Sequence, residues 1–372
     1  MRIGITCYPV YGGSGVVATE LGIQLAKRGH EVHFITYAQP FRLPYFMERI
    51  YYHEVEVPSY PLFDYPPYCL ALAAAMHNTV VKRHLDVLHV HYAIPHAASA
   101  WIAREMLGDK VKVVTTLHGT DITLVGQDPS FYSVTRFSMQ RSDGITAVSE
   151  YLARETVVRF DVPKESIRVI PNFVDLDRYK RDGYPCHRST LAEEGEKILM
   201  HISNFRPVKR VADTVRVFAR VNRRVPARLV LIGDGPDRGK AQQVAEDEGV
   251  ADRVIFLGKQ QSVAELLACA DLFLLPSESE AFGLVALEAM ACGVPVVATA
   301  VGGVPEVVPQ GQAGFLAPVG DIDEMAGDAL YLLEDPTRWE HASRAAREVA
   351  ERFAADRVVT LYEEYYAEVL AR

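Results

Sequence analysis

Short, uniformly apolar β-branched runs alternate with amphipathic helical stretches along this chain, and the alternation starts afresh halfway through. In the first half IGITC, EVHFIT, VLHVHY, KVVTTL, GITAV and IRVIP read as strands, with VVATELGIQLAKRG, AASAWIAREML and EYLARETVVRF as helices between them. In the second half KILMHIS, ARLVLIG, RVIFLG, LFLLPS and PVVAT read as strands, separated by KRVADTVRVFARVNRR, KAQQVAEDEG, SVAELLACA and FGLVALEAMACG. Strands that are apolar without in-out alternation are buried on both faces, which is the mark of a parallel sheet covered by helices. The stretch from Asn172 to Lys197, rich in charge and turn residues, reads as a linker, and the chain from about Asp335 onward reads as helix. The expectation is an α/β chain of two doubly wound domains, residues 1–172 and 173–354, facing one another across a cleft. Ligands of such sheets bind beyond the carboxyl ends of the strands.

Composition narrows the function. At 372 residues the chain suits two domains of roughly 150 residues or more. Hydrophobic residues at 49% and charged residues at 23% are the balance of a globular protein. A net charge of −9 argues against nucleic acid or a membrane surface as partner, so an anionic substrate must be held by a local cationic pocket. The cysteines Cys7, Cys69, Cys186, Cys269 and Cys292 are scattered and odd in number, with no C-x-x-C pair. They read as small apolar residues in a reducing compartment. With no signal-peptide pattern and no apolar run long enough to span a bilayer, a cytoplasmic protein without stable membrane insertion is expected.

A glycine-rich turn follows the first strand. Gly13-Ser14-Gly15-Val16-Val17-Ala18 matches G-x-G-x-x-A, so a nicotinamide or flavin enzyme must be weighed. Two features oppose it. The second strand ends in Tyr37, Ala38 and Gln39 rather than in an acidic residue for the ribose. Residues Tyr8 to Gly12 also make the turn too long. What stays open is an anion at a helix N-terminus, or a turn that glycine merely makes sterically convenient.

Three further segments carry chemistry. In SESEAFGLVALEAMACG, Glu280 lies in a post-strand loop and Glu288 a turn or so into the next helix. Backbone amides at the start of that helix suit a diphosphate, and the flanking carboxylates suit hydroxyls of a sugar and a ribose. A glycosidase acid-base pair is the rival reading, but it leaves the phosphate-cradling features idle. In HISNFRPVKR, Arg206 and Lys209 sit between strand and helix, where they can meet an anionic leaving group; a solvated basic turn is the alternative. In TTLHGTDIT, His118 ends a strand, with Thr120 and Asp121 after it. An isolated histidine there is as readily structural as functional. His89 and His91 read as pointing to opposite faces of their strand, and no H-E-x-x-H spacing is present, so no metal is expected.

Taken together these segments resemble a retaining glycosyltransferase of the GT-B type, over essentially the whole chain. The resemblance implies two Rossmann-like domains, with Glu280 on the donor-sugar hydroxyls and Glu288 on the ribose. It places Arg206 and Lys209 on the diphosphate, assisted by the amides of Gly283, Leu284 and Val285, and His118 on the donor sugar at the reacting centre. Gly15, Asn204 and Phe282 join that donor set. His118, Arg206, Lys209 and Glu280 are the catalytic candidates. Asn204 is a departure: many members have an arginine five residues before the lysine, a contact that Arg206 can take over. The family's last helix commonly crosses back to the first domain, as residues 355–372 can. No metal or other cofactor is implied.

A narrower resemblance lies in GITCYPVYGGSGVVATELG, GHEVHFITYAQPFRL, VHYAIPHA and TLHGTDITLVG. These are similar to the branch of the family that moves N-acetylglucosamine from UDP-N-acetylglucosamine (UDP-GlcNAc) to the hydroxyl of L-malate, with the α configuration retained, at the start of bacillithiol biosynthesis. That implies an acceptor site from Gly13, Ser14, Tyr92, Thr120, Arg136 and Asn172, and leaves a homodimer open. The alternatives are the same fold with a lipid, inositol phosphate or glycan acceptor, a UDP-sugar epimerase, and a non-catalytic binding protein.

Overall fold

Buried β-branched runs do form strands here, and they assemble into two parallel sheets. The computed structural model describes residues 1–10, 12–57, 61–62, 64–184 and 187–372. Cys186 and Tyr11, within two of the segments named above, lie outside the described residues. The chain divides into unit 1, Met1–Asn172 with Asp356–Arg372, and unit 2, Phe173–Ala355.

Unit 1 contains β1 (Arg2–Thr6), β2 (Glu31–Thr36), β3 (Ile50–Glu54), β4 (Val87–His91), β5 (Lys112–Leu117), β6 (Gly144–Ala147) and β7 (Ile167–Val169). Their spatial order is β3-β2-β1-β4-β5-β6-β7, and each neighbouring pair is parallel. The strand order reverses between β1 and β4, so the loops leaving these two strands diverge and open a crevice at their carboxyl ends. Sequence reading passes over β3, because this edge strand is half exposed and carries no apolar run. It also passes over the helix Tyr68–Arg83, although Leu72, Met76 and Val80 repeat every four residues on its buried face.

Unit 2 contains β8 (Lys197–Ile202), β9 (Ala227–Ile232), β10 (Val254–Gly258), β11 (Leu272–Leu275), β12 (Val296–Thr299) and β13 (Gly314–Ala317), in the order β10-β9-β8-β11-β12-β13. The short β13 is hidden in the sequence by its glycine. Gly314 is required there, because a Cβ would collide with the Val296 carbonyl of β12. The helix Val211–Asn222 buries Val211, Val215 and Phe218 in the core beside Leu229 and Leu231 of β9. Burying each such side chain stabilises the unit by about 1.5–3 kcal/mol.

From Phe173 onward, the described residues of the segment that reads as a linker belong to unit 2. Tyr179 is 3% exposed, and Arg181 donates to the carbonyls of Gly293 and Ala270. Its charged residues had a use that turn composition does not reveal. Beyond Asp335, whose carboxylate caps the helix Pro336–Arg352, the helix Ala355–Ala371 lies on unit 1. There Tyr365 Oη accepts from the Ile145 N–H and donates to the Ile145 carbonyl. Tyr366 Oη shares a 2.6 Å hydrogen bond with His89 Nδ1.

Candidate functional site

In unit 2 the loop after β8 runs Ser203-Asn204-Phe205-Arg206 and then makes a short turn, Pro207–Lys209. Lys209 Nζ donates to Glu280 Oε1 at 2.6 Å, and Ser277 Oγ donates to the same oxygen at 2.9 Å. Two residues 71 positions apart are thus brought together, and Glu280 is held in one orientation with its second oxygen unused by these bonds. Arg206 is exposed, and its guanidinium has no hydrogen bond or ion pair among the described residues. It is a cation available to an anion. Asn204 is half buried, with Oδ1 sealed from solvent and without a partner among the described residues.

The glycines Gly233 and Gly235, after β9, are residues that sequence reading misses. A Cβ at Gly233 would collide with the Ser203 carbonyl, and one at Gly235 with the Asn204 carbonyl, so the G-D-G turn closes directly on the loop that carries Arg206. The signal was present as two glycines immediately after an apolar strand.

The helix Leu284–Ala291 begins after Gly283, which adopts φ +95°, a conformation that favours glycine. No side chain caps this helix start among the described residues, so its first amides point outward as orphan donors. Gly303 donates its N–H to the Glu280 carbonyl at 3.0 Å and sits where a Cβ would strike Ala281, so the VGGVP turn supports the Glu280 loop. Two of the donor candidates are more enclosed than their place in the sequence suggests. Phe282 is buried, edge-on to Phe353 with centroids 5.7 Å apart, so its side chain belongs to the core and only its backbone can serve a ligand. Glu288 is 4% exposed and accepts a 2.6 Å hydrogen bond from Tyr179 Oη. Tyr179 lies in the stretch whose turn composition reads as linker, so the sequence carries no local sign of this contact.

In unit 1 the glycine turn leads into the helix Gly13–Lys27. Gly13 is exposed and Ser14 half buried, and no side chain caps this start among the described residues. Gly15 is required for steric reasons. A Cβ there would collide with the Tyr8 carbonyl and approach that of Val10 to 3.0 Å.

His118 follows β5, beside a group of neutral rings. Its Nε2 lies 2.8 Å from His91 Nδ1. The Tyr92 ring is 5.5 Å from that of His118 and 5.2 Å from that of Tyr8. Tyr92 adopts φ +89°, a strained backbone for a side-chain-bearing residue, and its N–H donates to the Thr116 carbonyl. Asp121, one residue beyond Thr120, is buried and accepts from the N–H groups of His118, Gly119 and Ala93 at 2.9–3.2 Å. Burial pushes its carboxyl up to about 6 despite those bonds. Burial also pushes His118 and His89 down to about 3 and His96 down to about 4, so these rings are neutral at physiological pH. His89 and His91 do not point to opposite faces. Their centroids are 4.4 Å apart, because positions two apart on a strand share a face.

Arg136 is not brought to this group. Its Nη2 pairs with Asp161 at 3.0 Å. Asp161 follows the helix Glu150–Phe160, which runs back from the carboxyl end of β6 toward the amino ends of the strands before β7. Asn172 is 6% exposed, and its Oδ1 has no partner among the described residues. Cys7, Cys269 and Cys292 are buried, Cys69 is half buried, and all four are free thiols. Among the described residues no three His, Cys, Asp or Glu side chains gather as a metal site, and no helix is long and apolar enough to cross a membrane.

Comparison with known proteins agrees with this architecture. Residues 11–178 match the family model for glycosyltransferase family 4, and residues 186–349 that for glycosyl transferases group 1. The sucrose-phosphate synthase of Thermosynechococcus elongatus superposes with a TM-score of 0.82 at 22% identity, covering 100% of this chain and 99% of that one. Anabaena HepE, solved with UDP and glucose, superposes with a TM-score of 0.81 at 21% identity, covering 99% of each. At such identities these neighbours speak for the fold. The chain belongs to the GT-B glycosyltransferases. Within them it is 52% identical over 374 residues to the N-acetyl-alpha-D-glucosaminyl L-malate synthase of Bacillus anthracis, covering 100% of this chain and 97% of that protein.

Proposed function

We propose that this glycosyltransferase moves N-acetylglucosamine from UDP-GlcNAc to the hydroxyl of L-malate, retaining the α configuration and releasing UDP, as the first step of bacillithiol biosynthesis in the cytoplasm. The observation that carries the reading is the 52% identity, over the whole chain, to the B. anthracis synthase. On this reading unit 2 takes the donor. The amides of Gly283, Leu284 and Val285, with Arg206 and Lys209, meet the charge on the diphosphate, so no divalent metal is needed. Glu280, oriented by Lys209 and Ser277, accepts from sugar hydroxyls. Glu288, held by Tyr179, accepts from the ribose.

Unit 1 takes the acceptor, through the amides of Gly13 and Ser14, the hydroxyls of Ser14, Tyr92 and Thr120, and the Asn172 amide. His118 contacts the donor sugar. Retention follows from front-side attack. The bond from C1 to the leaving phosphate oxygen breaks, the bond from C1 to the malate oxygen forms on the same face, and the malate proton passes to the departing phosphate.

The test is mass spectrometry of the reaction with UDP-GlcNAc in EDTA, with and without L-malate. A malate-dependent product of N-acetylglucosaminyl-malate mass, with UDP released, supports donor, acceptor and metal independence together. UDP release without that product keeps a glycosyltransferase and discards malate. Conversion of the donor alone to an isomer points to an epimerase.

A further inference from the structure

Histidines at the ends of adjacent strands constrain each other's protonation. His91, the last residue of β4, is fully buried. Its ring lies edge to edge with that of His118, the centroids 5.1 Å apart and the planes only 26° apart, with Nδ1 2.8 Å from His118 Nε2. One proton serves that hydrogen bond, so two assignments are available. If His118 Nε2–H donates, neutral His91 carries its own proton on Nε2, an atom sealed from solvent with no partner among the described residues. A buried N–H left without an acceptor is rare and costly. If His91 Nδ1–H donates, its Nε2 is only a bare lone pair, and neutral His118 carries its proton on Nδ1.

The neighbouring His96 makes the same choice. Its Nδ1 lies against the His91 carbonyl, which can only accept, so its own sealed and unpartnered Nε2 is also a lone pair. His118 Nδ1 differs from both. It has no hydrogen-bond partner among the described residues, yet it is not sealed from solvent. The groups around the pair, namely His89, His96, Tyr8, Tyr92 and the buried carboxyl of Asp121, offer no cation to the rings. Burial pushes the imidazolium forms of His91 and His118 well down, which keeps both rings neutral.

We infer that His91 is a positioning residue that holds His118 in the Nδ1–H tautomer, so that the nitrogen open to substrate is a hydrogen-bond donor and not a base. Its ligand is then an oxygen acceptor, a sugar hydroxyl or a carboxylate, and His118 does not take the proton of the attacking hydroxyl. This rests on the reading above, in which His118 meets substrate. The identity of the partner nitrogen sets the tautomer, as hydrogen bonds to the far side of an imidazole generally do.

Two-bond 15N–1H correlation spectra of the full-length protein, labelled in histidine, at pH 7.5 test this directly. The expected spectrum shows His118 protonated on Nδ1 only; protonation on Nε2, or on both nitrogens, overturns the proposal. His91→Asn places an amide N–H where Nδ1–H stood and should keep both the tautomer and the rate. His91→Leu removes the donor; the His118 signal should move toward the Nε2–H form and kcat should fall about 10- to 100-fold, with KM for UDP-GlcNAc unchanged. A His91→Leu protein that keeps the Nδ1–H tautomer and full kcat overturns the positioning role. If His91→Leu does not fold, the wild-type and His91→Asn spectra still decide. If wild-type protein fails to join UDP-GlcNAc to malate, the proposed reaction fails while the tautomer is read independently of it.

Discussion

Unit 2 places charge at the carboxyl ends of its strands, whereas unit 1 places neutral rings there. In unit 2 a lysine and a glutamate 2.6 Å apart stand near an exposed arginine and an uncapped helix start. In unit 1 His91, His96, His118, Tyr8 and Tyr92 pack together, and the nearby carboxyl of Asp121 is occupied by three backbone N–H groups. Both sheets offer the same kind of edge, so the difference comes from the side chains that leave it. Charge development on a diphosphate needs fixed cations, while a carboxylate-bearing acceptor that gains no charge in the reaction can be held by the amides of an uncapped helix start and by neutral hydrogen bonds.

The contrast can be broken most severely at Lys209. Lys209→Ala removes a preorganised donor, and transfer from UDP-GlcNAc should fall about 100- to 1,000-fold in a UDP-release assay. A loss of only a few-fold would mean that unit 2 does not carry the leaving-group charge.

Acid should separate the units next. His89, His96 and His118 have folded-state values pushed below the usual 6.5. Below pH 6.5 the unfolded chain therefore binds protons that the folded one refuses. Stability is lost as pH falls, by up to about 1.4 kcal/mol per pH unit for each ring that stays neutral. Asp121, pushed up to about 6, works in the opposite sense between about pH 4 and 6 and offsets one such group. Among the described residues of unit 2, His201 is the histidine with a lowered value. Amide protection, corrected for the pH dependence of intrinsic exchange, should accordingly fall more from pH 7 to pH 5 in β4 and β5 than in β8 and β11. Equal protection would remove the contrast.

The glycine turn provides a smaller and more local test. Gly15→Ala puts a methyl group against the Tyr8 carbonyl and should cost about 1–3 kcal/mol in urea unfolding. Gly12→Ala lies in extended backbone, with open space where the methyl would go, and should change stability by less than about 0.5 kcal/mol. The smallest effect is expected at Arg136. Its surface pair with Asp161 is worth less than about 1 kcal/mol, and Arg136→Ala should leave transfer to malate unchanged. A large rise in KM for malate would restore Arg136 to the acceptor site.

Much of this was legible beforehand for a physical reason. Strands buried on both faces are largely apolar, so the central strands stand out, and the edge strands β7 and β10 do so through their β-branched and large apolar residues, whereas the half-exposed edge strand β3 and the glycine-led β13 do not. Charged residues that pair across long distances are legible by type but not by partner. Lys209 and Glu280 were candidates from their loops, yet nothing in the intervening 71 positions says that one donates to the other. Tyr179 was invisible as the partner of Glu288 because the residues around it have turn composition.

By itself, then, the amino-acid order determined the two-fold α/β plan, the glycine turn and the residue types available at each strand end, since burial and backbone geometry act through local patterns. The tertiary structure decided the pairings. It tied Arg136 to Asp161, away from the carboxyl ends of the strands, and buried Phe282. It also put His89 and His91 on one face and aimed His91 Nδ1 at His118. Hydrogen bonds depend on atoms meeting within about 3 Å, and for residues distant in the chain only the folded backbone sets that distance.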